Sequence, residues 1–362
     1  MTTKTRVAVV YGGRSSEHSV SCVSAGAIMA NLDRDKFEVI PIGITQEGFW
    51  TSGTTEGLEI VGDKLPVVEK VNELALSLAP ETRGEFYDTV NGALFAKADV
   101  IFPVLHGPYG EDGTLQGLFE LSGVPYVGAG VLASAAGMDK EYTKKLLAAE
   151  GLPVAPEVIL RDRSELTEAE KALLGLPVFV KPARAGSSIG VSKVTDWSQL
   201  EGAVRLAHGA DTKVLVESEI TGSEVEIGVL QYPDGSLRAS VPARLVGIED
   251  SEEGFYGFET KYIDDVVSAE IPAQFDAGLV EQLQEMALEA FTALNCSGLS
   301  RVDFFVTDKG PVINEINTLP GFTPISMYPQ VWAASGVGYS ELLTLLIESA
   351  LSHHEGPVAS AD

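Results

Sequence analysis

Four side chains in the stretch Leu299–Asn317, LSRVDFFVTDKGPVINEIN, are of the types that hold a divalent cation and an oxyanion: Asp303, Glu315, Asn317 and Arg301. Two β-rich runs, Leu299–Thr307 and Pro311–Asn317, flank Asp308-Lys309-Gly310 and read as a hairpin. A three-residue loop, a type I turn with Gly310 in the left-handed position, is a common connection. With Thr307 opposite Pro311, Asp303 lies across from Glu315 and Arg301 across from Asn317. Side chains alternate along a strand, so all four share one face, and Val302, Phe304, Asn314 and Ile316 share the other. Directly opposed carboxylates repel. A hard cation such as Mg²⁺ would remove that penalty, with nucleotide phosphates completing its shell. Arg301 could steady a developing oxyanion. A solvated polar face fits the same residues, and a two-residue loop would throw Asp303 and Glu315 onto opposite faces. The hairpin alone leaves metal binding open.

A phosphate would need cations and backbone amides. Lys181 ends the apolar run Pro177–Val180 and precedes the glycine- and serine-bearing segment 183–190, ARAGSSIG. N–H groups of such a loop can cradle phosphate oxygens, with Lys181 supplying charge. The GxxxxGK[ST] order is absent, and an ordinary surface turn explains the loop as well. Lys140, near a helix start, is a second phosphate candidate or a solvated lysine. Gly12-Gly13 precedes a helix, but GxGxxG is not satisfied, which disfavours a dehydrogenase. Glu17 lies near that helix's N-terminus, where the dipole already favours an acid. His106 follows a strand, at the end where open α/β sheets bind ligands, or it caps a turn.

The elements that must position these residues follow an α/β pattern. Val7–Tyr11, Phe37–Ile44 and Asp99–Leu105 read as strands, with a helix after Gly13, a helix at Thr114–Leu121 and a short strand at Val124–Val127. Residues 51–91 are mixed and charged and read as an insertion. Met138–Glu150 reads as one helix. Pro177–Pro182, Val214–Ile220, Glu224–Leu230 and Arg238–Val246 are β-rich, residues 249–257 read as an exposed mobile loop, and Ala277–Leu294 and Tyr339–Leu351 are helical.

With 362 residues the chain is long enough for two or three domains. Lys and Arg number 25 against 52 Asp and Glu, a formal charge of −27, which opposes nucleic acid and anionic membranes. An anionic substrate therefore needs a local cluster of cations. Cys22 and Cys296 alone suggest neither a disulfide framework nor a zinc site. No run is long enough to span a bilayer, and a cytoplasmic location is expected.

Seven segments, in order, resemble the D-alanine–D-alanine ligases of the ATP-grasp superfamily. They are YGGRSSEHSVS (11–21), LHGPYGEDGTLQG (105–117), MDKEYTK (138–144), VKPARAGSSIGVSKV (180–194), TKY (260–262), SRVDFF (300–305) and NEINTLPGFTPISMYP (314–329). The resemblance implies a multi-domain α/β chain, an N-terminal open α/β sheet domain followed by a two-part ATP-grasp fold. Its expected boundaries are 1–128, 129–216 and 217–352, with a lid at 249–265 and a flexible tail at 353–362. It implies ATP and two Mg²⁺ (or Mn²⁺) as cofactors, D-alanine as substrate, a homodimer, and a D-alanyl phosphate intermediate on the way to a peptidoglycan precursor.

Residue by residue, the resemblance implies that Glu17, supported by Ser187 and Tyr262, grips the first D-alanine's ammonium, with His106 beside it. Lys140, Lys181 and Lys261 would neutralise ATP phosphates. Glu217 and Ile220 would meet the adenine, with Phe305 also in the nucleotide site, and Glu224 the ribose. Asp303, Glu315 and Asn317 would hold the metals, Arg301 and the Gly321 N–H the oxyanion, and Ser326 and Met327 the second carboxylate. Two departures touch the lid and hinge: Tyr256-Gly257-Phe258 where the family often has Tyr-Asp-Tyr, and Ser218 where it usually has lysine. A D-alanine–D-lactate ligase and a non-catalytic nucleotide-binding relative are the alternatives; Thr260-Lys261-Tyr262 disfavours the first, and the intact ligand set disfavours the second.

Overall fold

The computed structural model describes residues 3–62, 64–186, 188–247 and 268–353. Its strands are β1 (Thr5–Gly12), β2 (Phe37–Ile44), β3 (Trp50–Ser52), β4 (Leu74–Leu76), β5 (Glu85–Asp88), β6 (Leu94–Lys97), β7 (Val100–Val104), β8 (Glu157–Leu160), β9 (Val178–Pro182), β10 (Ser192–Val194), β11 (Val214–Ser218), β12 (Ser223–Gln231), β13 (Leu237–Ala239), β14 (Ala243–Val246), β15 (Ser268–Glu270), β16 (Leu299–Thr307) and β17 (Gly310–Asn317). Its helices are α1 (His18–Asn31), α2 (Thr114–Ser122), α3 (Val131–Met138), α4 (Lys140–Ala149), α5 (Glu168–Leu174), α6 (Leu200–His208), α7 (Ala277–Ala293), α8 (Met327–Ala334) and α9 (Tyr339–His353).

The first sheet has the order β3-β2-β1-β7, with β1 parallel to both neighbours. Strand β1 is apolar at nearly every position because both of its faces are covered. Val7, Val9 and Tyr11 pack with α1 and α9, while Ala8 and Val10 pack with α2 and the small sheet β4-β5-β6. That small sheet lies in and just beyond the segment read as an insertion, and Leu74 and Phe86 bury into the same core. His18 ties the segment down. Its Nδ1 lies 2.7 Å from the Gly13 carbonyl, and the Val68 N–H donates to Nε2 at 2.9 Å.

Two antiparallel sheets follow, β10-β9-β11-β8 and β15-β14-β12-β16-β17, the second with β13 also paired to β12. Val178, Val180, Val214 and Val216 face α5 and α6. In the other sheet Val225, Ile227, Val229, Val302, Phe304, Ile313 and Ile316 face Leu283, Met286, Ala287, Ala290 and Phe291 of α7. Each fully buried large apolar side chain contributes roughly 1.5–3 kcal/mol, so these faces are held firmly against their helices. The opposite faces of the two sheets are left to line a cavity.

Two local expectations change. The helix expected at Met138–Glu150 runs from Lys140 to Ala149 as α4, and Met138 ends α3, because Asp139 between them takes an extended backbone and caps α4, accepting from the Tyr142 N–H. At Val124–Val127 the pairing is one parallel bridge, Ile101 to Tyr126, in place of a strand. No helix among the described residues is long and apolar enough to cross a membrane.

Candidate active site

The carboxylate hairpin reaches its expected pairing by a different route. Thr307 pairs with Gly310, not Pro311, so the loop is the two residues Asp308 and Lys309. Continued regularly, that register would aim Glu315 at the core. A β-bulge intervenes: Phe304 pairs with Ile313 and Asp303 with Glu315, leaving Asn314 as the extra residue. Glu315 and Asn317 thereby return to the face of Asp303 and Arg301, and Ile313, not Asn314, fills the core position beside Phe304. Gly310 has a φ of +115°, which suits the turn.

Next to this hairpin, β12 adds Glu226 directly across from Asp303, with Glu224 two residues earlier on the same face. Of these acids, Asp303, Glu226 and Glu315 gather cations. Arg301 donates through Nε to Asp303 Oδ1 and through Nη2 to Oδ2, both at 2.7 Å, and its Nε lies 2.9 Å from Glu226 Oε2. Burial alone would lower the Arg301 pKa, but Asp303 and Glu226 hold it well above the usual value. Asn317 Nδ2 donates to Asp303 Oδ2 at 3.1 Å, and Lys140 Nζ lies 3.7 Å from Glu315. Among the described residues no cluster of three or more Asp, Glu, His or Cys is arranged for a metal by itself. Asp303, Glu315 and Asn317 are hard oxygen donors, suited to Mg²⁺ that phosphates help to hold.

The facing wall comes from β9, β11 and α4. On β9, Phe179 and Lys181 point away from the Val178 and Val180 core and into the cavity. Lys140, first residue of α4, donates to the Ala185 carbonyl at 3.1 Å and so links that helix to the glycine-bearing loop. Glu217 is buried, and its carboxylate forms ion pairs with Lys181 and Lys144.

The far end is built by loops after β1, β7 and β17. Glu17 is the N-cap residue of α1, yet its side chain makes no cap bond and lines the cavity. A Cβ added at Gly107 or at Gly186 would lie 3.4 Å from Glu17 Oε2, so the carboxylate sits close to both glycines. Burial lowers the His106 pKa, against the opposing pull of Glu17, and among the described residues its buried Nε2 has no hydrogen-bond partner. Burial thus favours the neutral ring, which lines the cavity. Glu111 accepts from the Gly107 N–H at 2.8 Å; burial, then the nearby Glu17 charge, pushes its carboxyl up to about 8. Across the opening, a Cβ on Gly321 would fall 2.8 Å from Ser326 Oγ, which itself accepts from the Thr323 N–H at 2.9 Å.

Most of these groups line one cavity of about 770 Å³, within the usual range for small-molecule sites. Glu17, His106, Lys140, Lys181, Glu217, Ile220, Glu224, Arg301, Asp303, Phe305, Glu315, Asn317, Gly321, Ser326 and Met327 share it. Ser187, Lys261, Tyr262 and the whole expected lid at 249–265 lie outside the described residues, as does the expected tail beyond His353. Sequence reasoning passed over Glu111, Glu226 and Lys144. Glu226 could have been found from the two-residue alternation with Glu224, and Lys144 from its one-turn spacing from Lys140. Nothing in the local pattern marks Glu111 as buried.

The family model described as the D-Ala–D-Ala ligase N-terminus matches residues 6–129, and that of the D-Ala–D-Ala ligase C-terminus matches residues 146–348. A D-alanine–D-alanine ligase of Corynebacterium aurimucosum is 66% identical over 347 residues, covering 96% of this chain and 98% of the relative. Among solved structures, the VanG D-Ala:D-Ser ligase of Enterococcus faecalis superposes with a TM-score of 0.82 at 37% identity, covering 96% of this chain and all of that one. The D-alanine–D-alanine ligase of Coxiella burnetii gives 0.82 at 33% identity, covering 97% and 95%. The motif resemblance and the α/β ATP-grasp fold class are thus borne out: the chain is an enzyme of the D-alanine–D-alanine ligase family.

Proposed function

We propose that the chain joins two D-alanines at the expense of ATP, through a D-alanyl phosphate, to make D-alanyl-D-alanine for peptidoglycan precursors. The observation that carries this reading is the sharing of one cavity by Lys140 and Lys181, the Asp303–Glu315–Asn317 set, and the Glu17–His106 end. Phosphoryl transfer asks for charge neutralisation and alignment more than covalent chemistry. Lys140 and Lys181 meet the phosphates in this scheme. Asp303, Glu315 and Asn317 would hold Mg²⁺, which supplies further neutralisation of phosphate charge.

The first D-alanine binds with its ammonium at Glu17 and presents its carboxylate beside His106. A carboxylate oxygen takes the γ-phosphoryl group, and ADP leaves. The second D-alanine, its carboxylate at Ser326 and Met327, loses a proton and attacks the acyl carbon with its amine. Arg301 and the Gly321 N–H stabilise the tetrahedral oxyanion, which collapses with loss of phosphate. Losing one such donor costs about 3–4 kcal/mol.

Phosphate release from ATP with a panel of D- and L-amino acids, D-serine and D-lactate, with product masses, tests this. D-alanine alone should give full turnover and a mass of the dipeptide. Preference for D-lactate, or ATP binding without turnover, would sink it. A homodimer is part of the proposal and is checked by light scattering.

A further inference from the structure

We propose that Lys144 is a positioning residue that acts through Glu217 to keep Lys181 available to the nucleotide phosphates. This rests on the nucleotide reading above. Lys140 and Lys144 are one turn apart on α4 and so lie on one face of the helix. Lys140 lines the cavity, whereas Lys144 is buried with 4% of its side chain exposed. Its ammonium pairs with one oxygen of Glu217, and Lys181 pairs with the other. Behind it, Glu157 Oε2 lies 3.4 Å from Lys144. Strand pairing fixes the arrangement, since Glu217 on β11 stands between Glu157 on β8 and Phe179 on β9.

The charge count explains the device. A buried Lys181 with Glu217 alone would be a closed neutral pair, of little use to an anion. With Lys144 sharing the carboxylate, the trio carries one net positive charge, and only Lys181 among its two lysines lines the cavity. Glu157 does not cancel that charge in full, because burial, above all, pushes its carboxyl up to about 7. Glu217 meanwhile stays ionised: burial would raise its pKa, but Lys181 and Lys144 reverse the effect. The Glu217 carboxylate is therefore committed to lysines, and its part in nucleotide binding is exerted on the phosphate side.

Lys144→Met removes the charge without adding a buried polar group. Titration calorimetry with ATP and with adenosine, alongside the KM for D-alanine, separates the possibilities. ATP affinity should fall about tenfold or more, while adenosine affinity and the D-alanine KM stay within about twofold. Lys144→Arg, which keeps the charge, should restore most of the ATP affinity. Equal weakening of ATP and adenosine, or unchanged ATP affinity, overturns the proposal. Should Lys144→Met fail to fold, a tenfold loss of ATP affinity in folded Lys144→Arg would overturn it as well. Wild-type protein that binds no ATP would instead refute the nucleotide reading itself.

Discussion

Replacing Asp303 by asparagine keeps the size of the side chain and removes one negative charge from a crowded acidic face. Asp303 stands between Glu226 on β12 and Glu315 on β17, and it accepts two bonds of 2.7 Å from Arg301. A guanidinium–carboxylate pair with charge centres about 4 Å apart gains roughly 4 kcal/mol at an effective dielectric of about 20. A carboxylate pair about 5 Å apart costs roughly 3 kcal/mol on the same scale. Losing one attraction and at least one repulsion nearly cancels, and Arg301 keeps Glu226. Folding stability should therefore change by no more than about 1–2 kcal/mol, a Tm shift of a few degrees. Catalysis should respond quite differently. A lost charged ligand for the cation–phosphate assembly is worth at least about 3 kcal/mol, so ATP-dependent phosphate release should drop more than about 100-fold. The assay is phosphate release against magnesium concentration, paired with thermal unfolding of the same samples. Normal turnover, or a loss of activity that tracks a loss of folded protein, would refute the reasoning.

Glu111→Gln should flatten part of the pH dependence of stability. The folded protein holds a proton on this carboxyl up to about pH 8 while the unfolded chain releases it near 4.5, so stability falls as pH rises across that window. Unfolding midpoints at pH 6 and pH 9 should differ less in the variant than in wild type. Gly321→Ala places a methyl 2.8 Å from Ser326 Oγ, and it should raise the KM for the second D-alanine several-fold with ATP affinity unchanged. Phe304→Ala, at a position 1% exposed between β16 and α7, should cost about 3–5 kcal/mol in denaturant unfolding.

Several features were legible because they depend on near neighbours in the chain. The strand Phe37–Ile44 and the strand Leu299–Thr307 have the expected ends, since apolar runs bounded by turn residues carry their own signal. The acidic hairpin face was also legible, although the loop length was not. Asn314 reads like any other polar strand residue, and only pairing with β16 makes it the bulge that returns Glu315 to the cavity. Strand β8 and helix α8 went unread, because Glu157–Leu160 and Met327–Ala334 show no period of their own and are held by β11 and the core around Trp332.

Residue types and local spacing determined the α/β pattern of this chain, its paired acids and the motifs it shares with one ligase family. Burial and partnership were left to the tertiary structure. Whether Glu111 keeps its proton, whether Lys144 faces solvent or Glu217, and whether His106 is charged depend on how strands distant in sequence exclude water and bring charges together. Electrostatic energies vary with distance and dielectric, and neither is written in the order of residues.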